Sequence, residues 1–120
     1  MIKEKILNYI KEQRVTLLGV GPMSLNCVDA VIEISNNNKI PIILIASRRQ
    51  IDSAEFGGGY VNNWTTKEFS EYVINADKLG KVYLARDHGG PWQSDLEKDN
   101  KFSLRKAMDS AKNSYKVDID

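Results

Sequence analysis

The apolar run from residue 40 to residue 46 constrains the fold more than any other stretch of this chain. It contains no polar residue, and it is bounded by Lys39 and Ser47. A continuous apolar run of this length is typical of a parallel strand that is covered on both faces. It is also interrupted by Pro41 and is far too short to span a bilayer. We therefore expect a buried strand here, in a sheet flanked by helices.

Two further segments rich in apolar residues, 15–20 and 81–85, are predicted as strands. Before, between and after the three strands, apolar residues recur at helical spacing, so we predict helices in these segments. The first dozen residues form an amphipathic pattern that we expect to cover one end of the core. Ser24 is a candidate N-cap for a second helix that ends in the asparagine turn 36–38.

The boundaries of the third predicted helix are the clearest in the chain, and the end of the last helix is the least clear. Thr65 and Glu68 have the spacing of a capping box, and Gly80 closes the apolar stripe that follows. The last helix starts near Leu104 and shows no stop signal before Asp120. An alternative for its end is a short edge strand over residues 116–120, where polar and apolar residues alternate.

The order of elements is one helix followed by three strand–helix pairs, which predicts an α/β fold with parallel strands and right-handed crossovers. This order suits either a small doubly wound sheet or the amino-terminal portion, about three βα units, of a TIM (β/α)8 barrel, whose complete form needs about 250 residues. Because the chain ends inside a helix, we favour the second and predict that residues 1–120 are a partial barrel domain, cut in the third crossover helix.

The charge and composition of the chain indicate which partners it can bind and in which cellular compartment it is expected. The chain has 17 basic and 16 acidic residues and a formal net charge of +1, which removes the usual electrostatic case for binding nucleic acid or a membrane. The amino terminus lacks the apolar stretch of a signal peptide. Cys27 is the single cysteine, lies in a predicted helix and is expected to be a buried thiol. We predict a cytoplasmic protein.

The connection after the second strand, from Ser47 to Tyr60, is more than twice the usual length of a βα loop and is predicted to be functional. Its glycines, Gly57 to Gly59, could cradle a phosphate through their backbone N–H groups, helped by Arg48 and Arg49. The alternative is a flexible hinge. Adjacent arginines point in different directions, so we expect at most one of the two to face a site.

Asp87 and His88 follow directly after the third predicted strand, and His88 is the only histidine of the chain. Ligands of α/β folds usually bind where parallel strands end in this way. One interpretation is that Asp87 and His88 belong to a ligand-binding site. The other is that they lie in an ordinary solvated loop.

Four segments, taken in order, resemble one known family. They are Leu44-Ile-Ala-Ser47, Phe56-Gly-Gly-Gly-Tyr60, Thr66-Lys-Glu-Phe69 and Arg86-Asp-His-Gly-Gly-Pro91. This series is similar to the amino-terminal part of the GatZ/KbaZ-like subunit family of class II D-tagatose-1,6-bisphosphate aldolase. The resemblance implies a (β/α)8 barrel, a sugar-phosphate (ketose bisphosphate) substrate and a role in carbohydrate metabolism.

The resemblance also implies residue roles. Asp87 matches the general acid/base of the related catalytic aldolases, and His88 matches a ligand of their Zn²⁺, whose other ligands would lie outside this chain. Arg86 stands where the family has a small residue, and its guanidinium could bind a phosphate or carboxylate. The residues that we predict to bind substrate are Ser47, Arg48, Gln50, Gly58, Gly59 and Arg86.

Two functional hypotheses remain open from the sequence. The first is a metal-dependent sugar-phosphate lyase that cleaves a C–C bond in the retro-aldol direction with Asp87 as acid/base. The second is a non-catalytic accessory subunit that stabilises a partner aldolase, since members of the family are usually described in that way. The expected partners are accordingly a sugar phosphate, an aldolase catalytic subunit or further copies of the chain.

Overall fold

A computed structural model of the protein describes residues 1–119. Within these residues, three strands form one sheet, and five α-helices and one 3-10 turn surround or connect them. In chain order the elements are α1 (Ile2–Gln13), β1 (Leu18–Val20), α2 (Leu25–Asn38), β2 (Ile42–Ala46), the 3-10 turn (Ala54–Phe56), α3 (Thr66–Ala76), β3 (Val82–Arg86), α4 (Asp95–Asp99) and α5 (Leu104–Ile119).

The sheet is parallel throughout, and its strands follow one another in the order β1-β2-β3. Leu18 pairs with Ile42, and Ile42 pairs in turn with Val82. The prediction of a mixed α/β fold with parallel strands is therefore confirmed.

The two faces of the sheet differ. On the helix face, Ile42, Leu44 and Ala46 are buried in one apolar cluster with Val28 of α2 and Phe69 of α3. α2 packs on β2, β3 and α3, and α3 contacts α5. Because side chains alternate along a strand, the residues between them point the other way. We call this second surface the open face, and its residues are Gly19, Ile43, Ile45, Tyr83 and Ala85.

Residues of the open face are apolar or small but only half-buried or exposed. The Cδ1 atom of Ile45 lies 2.5 Å from where a Cβ would stand on Gly19, so Ile45 covers that glycine. The expectation that β2 is covered on both faces is therefore wrong within residues 1–119. Its continuous apolar pattern does not distinguish a covered face from one that is apolar and open.

β1 and β2 begin later than predicted, and the reason is Pro41. Continuing their ladder toward the amino ends of the strands would require an N–H from Pro41, which has none. Pairing thus begins at Leu18 and Ile42 instead of residues 15 and 40. The prediction for α1 is also wrong, because α1 covers no part of the core: none of its residues is buried, and Ile2 is 60% exposed.

Polar contacts fix the start of α2, the end of α3 and the start of β3. Ser24 caps α2 by accepting a hydrogen bond from the Cys27 N–H at 3.2 Å, as predicted, and Cys27 is half-buried. α3 ends at Ala76, before Gly80, because Asp77 leaves the helical conformation. The Asp77 carboxylate accepts from the Val82 N–H at 2.7 Å and thereby fixes the start of β3.

α5 remains helical to Ile119, so the alternative of an edge strand is wrong for residues 116–119; Asp120 lies outside the described residues. Ser114 of α5 donates to Asp52, in the connection after β2, at 2.6 Å. Asp118 binds Arg86 at the carboxyl end of β3. A crossover helix runs antiparallel to the strands and ends beside their amino ends. The last turn of α5 lies instead beside their carboxyl ends, which differs from the predicted third crossover.

Candidate functional site

Asp87 and His88 lie where β3 ends. The Asp87 N–H donates to the Ala46 carbonyl at 2.9 Å and so extends the β2–β3 ladder by one residue. Alternation along this extended strand directs Asp87 to the open face, opposite Arg86. The two side chains are 56% and 64% exposed, and Oδ1 of Asp87 lies 3.2 Å from Nε2 of His88. The carboxylate and the imidazole therefore form one solvent-accessible pair, in the place that the sequence predicted.

Arg86 does not join this pair. Its side chain lies on the helix face, where it is only 10% exposed and binds both carboxylate oxygens of Asp118. The Nε–Oδ2 distance is 2.8 Å, and Nη1 donates to the carbonyl of Ile51. Adjacent residues of a strand point to opposite faces, so Arg86 cannot reach a substrate held against Asp87. The structure therefore separates Arg86 from the Asp87–His88 pair, and the prediction that Arg86 binds substrate stays a prediction.

Arg48 is the centre of a buried group that we call the Arg48 cluster, formed by Arg48, Asp52, Glu97 and Ser110. Its Nε lies 2.9 Å from Asp52, its Nη1 lies 2.6 Å from Glu97, and its Nη2 donates to Ser110 at 3.2 Å. The side chains of Arg48, Asp52 and Glu97 are at most 1% exposed. The guanidinium has no surface to offer a substrate, which corrects the prediction for Arg48. Arg49 is the exposed arginine, as expected for one of the two, and it pairs with Asp95 at the surface.

The glycine loop does not offer its N–H groups to a phosphate. Gly57 donates to Ala54 and Gly58 donates to Ser53, both at 3.1 Å, while Gly59 donates to Trp64 at 3.0 Å. Each backbone N–H is a single donor, so a phosphate cradle at Gly58 and Gly59 would require these bonds to break. The alternative of a flexible hinge fits no better, because the connection carries Ile51 and Val61, each 1% exposed.

Ser47 and Gln50 hold the ends of β1 and β2 together. Gln50 is 9% exposed; its Oε1 accepts from the Ser47 N–H at 2.8 Å, and its Nε2 donates to the Pro22 carbonyl at 2.7 Å. Both groups of the Gln50 amide are thus engaged within the protein. Ser47 is half-buried, and the β2–β3 register continued by one residue pairs it with Asp87. Of the predicted residues, Ser47 and Asp87 lie opposite each other at the carboxyl ends of β2 and β3, and His88 pairs with Asp87.

The sequence did not identify Asp52, Glu97, Ser110 and Ser114, which are the buried polar partners of this region. Glu97 follows Asp95 in a charged segment that looks like a solvated surface. The only local signal is the spacing of Arg48 and Asp52, which is that of an i, i+4 ion pair.

The residues described here do not assemble a metal site by themselves. Among residues 1–119, no group of three or more histidine, cysteine, aspartate or glutamate side chains is placed to hold a metal ion. A catalytic zinc site needs three protein ligands. Asp87 and His88 would supply two donors, and the Cys27 thiol instead lies 3.8 Å from the carbonyl of Gly21.

A cleft of about 670 Å³ lies on the helix face beside β3. Phe69, Leu84 and Val117 contribute apolar walls, and the Arg86–Asp118 pair lies in its lining. Asp87 and His88 are not part of that lining. The cleft and the Asp87–His88 pair are therefore two separate features.

Comparisons with models of protein families, with curated proteins and with solved structures found no match to this chain. No helix within residues 1–119 has the length and apolar character needed to cross a membrane.

Proposed function

We propose that this chain supplies the first three strands of a (β/α)8 barrel, together with the two crossover helices α2 and α3 that connect them. Three features of the sheet support the proposal. Its strands follow chain order, its buried side chains face the helices, and its open face carries Ile43, Ile45 and Ala85. Branched apolar side chains of this kind fill the interior of such barrels, and active sites form at the carboxyl ends of the strands. A doubly wound sheet would instead place helices on both faces.

We further propose that the protein is a sugar-phosphate lyase that cleaves a ketose bisphosphate in the retro-aldol direction. The observation that carries this proposal is the accessible Asp87 carboxylate on the open face, at the carboxyl end of β3 and 3.2 Å from His88. In retro-aldol cleavage, the hydroxyl that becomes the aldehyde oxygen loses its proton as the C–C bond breaks. The electron pair of that bond passes into the neighbouring ketone carbonyl of the substrate to give an enediolate, which is then protonated at carbon to form the second product. A carboxylate within hydrogen-bonding reach of that hydroxyl can accept the proton.

Zinc enters the proposal only through the resemblance described above. Asp87 and His88 supply at most two donors to a metal among the described residues. In the proposed site, His88 is the hydrogen-bonding partner of Asp87. The predicted phosphate donors Arg48, Arg86 and the glycine loop are engaged elsewhere in the protein. The proposal therefore concerns the centre of C–C cleavage and not the phosphate contacts.

The test is an assay of the full-length protein for cleavage of ketose bisphosphates, with and without a chelator. We expect Asp87→Asn to lower kcat by about two to four orders of magnitude, the usual contribution of a positioned acid/base. Asp95→Asn is the matched control, because Asp95 is also an exposed aspartate and lies 68% exposed beside Arg49. Unchanged cleavage by Asp87→Asn would remove Asp87 from the reaction.

The accessory-subunit hypothesis is a distinct outcome of the same experiment. It predicts no cleavage by the protein alone, and a higher thermal stability of a class II aldolase catalytic subunit when the two proteins are mixed. In that case Asp87→Asn should leave the stabilisation of the partner unchanged.

A further inference from the structure

We propose that Arg48 and Glu97 are positioning residues for the loop that carries Asp87 and His88. This loop, residues 87–92, is called the Asp-His loop below. The inference has a structural part, which concerns how the loop is held. It also has a catalytic part, which rests on the function proposed above.

The Arg48 cluster holds the Asp-His loop at two backbone atoms. Nη1 of Arg48 donates to the carbonyl of Gly90 at 3.3 Å, and Oε2 of Glu97 accepts from the N–H of Trp92. The other carboxylate oxygen of Glu97 binds Arg48 and Ser110. Glu97 therefore uses one oxygen for the cluster and the other for the loop, whereas Nη1 of Arg48 donates to both Glu97 and the Gly90 carbonyl.

The Asp-His loop needs such anchors because its backbone is unfavourable. His88 has φ 74° and Trp92 has φ 56°, both in the left-handed region. For residues other than glycine, this region is unfavourable, because the Cβ comes too close to the backbone. Such conformations persist only where the surroundings fix them. Within residues 1–119, the side chains of Asp87 and His88 pair only with each other, so they do not anchor the loop.

A third contact comes from α5. A Cβ on Gly89 would lie 2.3 Å from the hydroxyl oxygen of Tyr115, so the phenol closes tightly over the loop. Ser110 of the same helix belongs to the Arg48 cluster. The cluster thus joins the connection after β2, α4 and α5 around one loop, and the direction of the Asp87 carboxylate depends on all three.

A buried ionic group contributes little net stability when it is compared with an apolar group of the same shape, whereas removing one partner alone is strongly destabilising. Variants that remove all the charges together can therefore test whether the cluster positions the loop without a large loss of folding stability. The variant Arg48→Met, Asp52→Asn, Glu97→Leu removes the three charges together and both anchors. The variant Arg48→Met, Asp52→Asn, Glu97→Gln also removes the charges but keeps an oxygen that can accept from the Trp92 N–H.

Amide hydrogen exchange of the full-length protein is the direct measurement. We expect the Trp92 amide to exchange about tenfold or more faster in the leucine variant, since that variant lacks the bond to a charged acceptor. The glutamine variant should retain most of the protection. Asp77→Asn is the matched control, because it alters another buried carboxylate that accepts from a backbone N–H, at the amino end of β3 and away from the Asp-His loop. Wild-type exchange across residues 87–92 in the folded leucine variant would overturn the proposal.

If the leucine variant fails to fold, amide exchange in the unmodified protein tests whether Glu97 holds the Trp92 N–H. Under native conditions, the Trp92 amide should open together with the Ser53 amide, whose acceptor is the buried carboxylate of Asp52. Exchange of Trp92 at the rate of an unprotected peptide would show that Glu97 does not hold it, and the proposal would fail.

Steady-state kinetics test the catalytic part. We expect the leucine variant to lose about a hundredfold in kcat with a smaller change in KM, since small displacements of a catalytic group have effects of that size. The glutamine variant should recover part of the loss. If the protein cleaves no ketose bisphosphate but the exchange results hold, the proposed function fails and the structural inference stands. If the protein cleaves a ketose bisphosphate but amide exchange in the leucine variant is unaffected, the proposed function stands and the structural inference fails.

Discussion

Replacing Gly59 with alanine should destabilise the protein strongly, although Gly59 has no unusual φ. A Cβ at this position would lie 2.0 Å from the carbonyl oxygen of Gln50 and 2.5 Å from the backbone nitrogen of Ile51. Both neighbours are backbone atoms, so no side-chain rotation can relieve the clash. The two segments are also tied together, because the N–H of Val61 donates to the same Gln50 carbonyl at 3.1 Å.

The expected magnitude follows from what has to move. Overpacking that side chains can absorb costs about 1–3 kcal/mol. Here the chain must separate and lose one or two backbone hydrogen bonds, each worth about 1 kcal/mol net. The total is about 2–5 kcal/mol, whose upper end is exceptional for a single substitution. For 120 residues, the usual entropy of unfolding converts 1 kcal/mol into about 4 °C, so Tm should fall by roughly 8–20 °C.

The assay is urea unfolding followed by tryptophan fluorescence, since Trp64 is 8% exposed in the core next to this loop. Gly90→Ala is the matched control, because a Cβ there meets no atom within 4 Å, and it should change stability by no more than about 0.5 kcal/mol. A Gly59→Ala protein as stable as the wild type would refute the reasoning. If that stable variant also bound phosphate more weakly, the glycine loop would regain its predicted role in binding.

Two further predictions concern titratable groups at the surface. Hydrogen bonds from the Thr65 backbone and side chain lower the pKa of Glu68, so this stabilisation is present above the unfolded pKa and is lost as the pH falls through the folded pKa. Thr65→Ala should cost about 1 kcal/mol and Glu68→Gln should flatten stability across acid pH, both measured by urea unfolding. The hydrogen bond to Asp29 raises the pKa of Tyr72, so its stabilisation is present below the unfolded pKa and is lost as the pH rises through the folded pKa. Tyr72→Phe should abolish that alkaline loss, and the absorbance of tyrosinate should show one fewer late-titrating tyrosine; no change in either would contradict the prediction.

Local patterns predicted the elements of this fold well. The capping box at Thr65 and Glu68 is formed as expected, and it starts α3 at Thr66. N-capping by Ser24 is also confirmed. These features depend on residues three or four positions apart, so the sequence contains all the information they need. The starts of β1 and β2 depend instead on how Pro41 meets the ladder, which requires the pairing of the strands.

Predictions about the site were less successful, because they depend on contacts between distant residues. Arg48 binds Glu97 and Ser110, which lie 49 and 62 residues further along the chain. Nothing in the composition of the segment around Glu97 indicates a buried carboxylate. Similarly, glycine content suggested a phosphate cradle, but the sequence does not show which carbonyls accept from those N–H groups.

The opposite roles of Arg86 and Asp87 could have been predicted from the sequence alone. They are adjacent in a strand, so alternation separates them whichever face is covered. Arg86 takes the helix face and is neutralised by Asp118, whereas Asp87 takes the open face and remains accessible. Because the charges of the Arg48 cluster and of Arg86 are paired away from the open face, a reaction at that edge would rely on Asp87, His88 and Ser47. If Asp118→Asn left cleavage unchanged while Asp87→Asn abolished it, this division of the two faces would be confirmed; equal losses from both substitutions would show that the helix face contributes to the reaction.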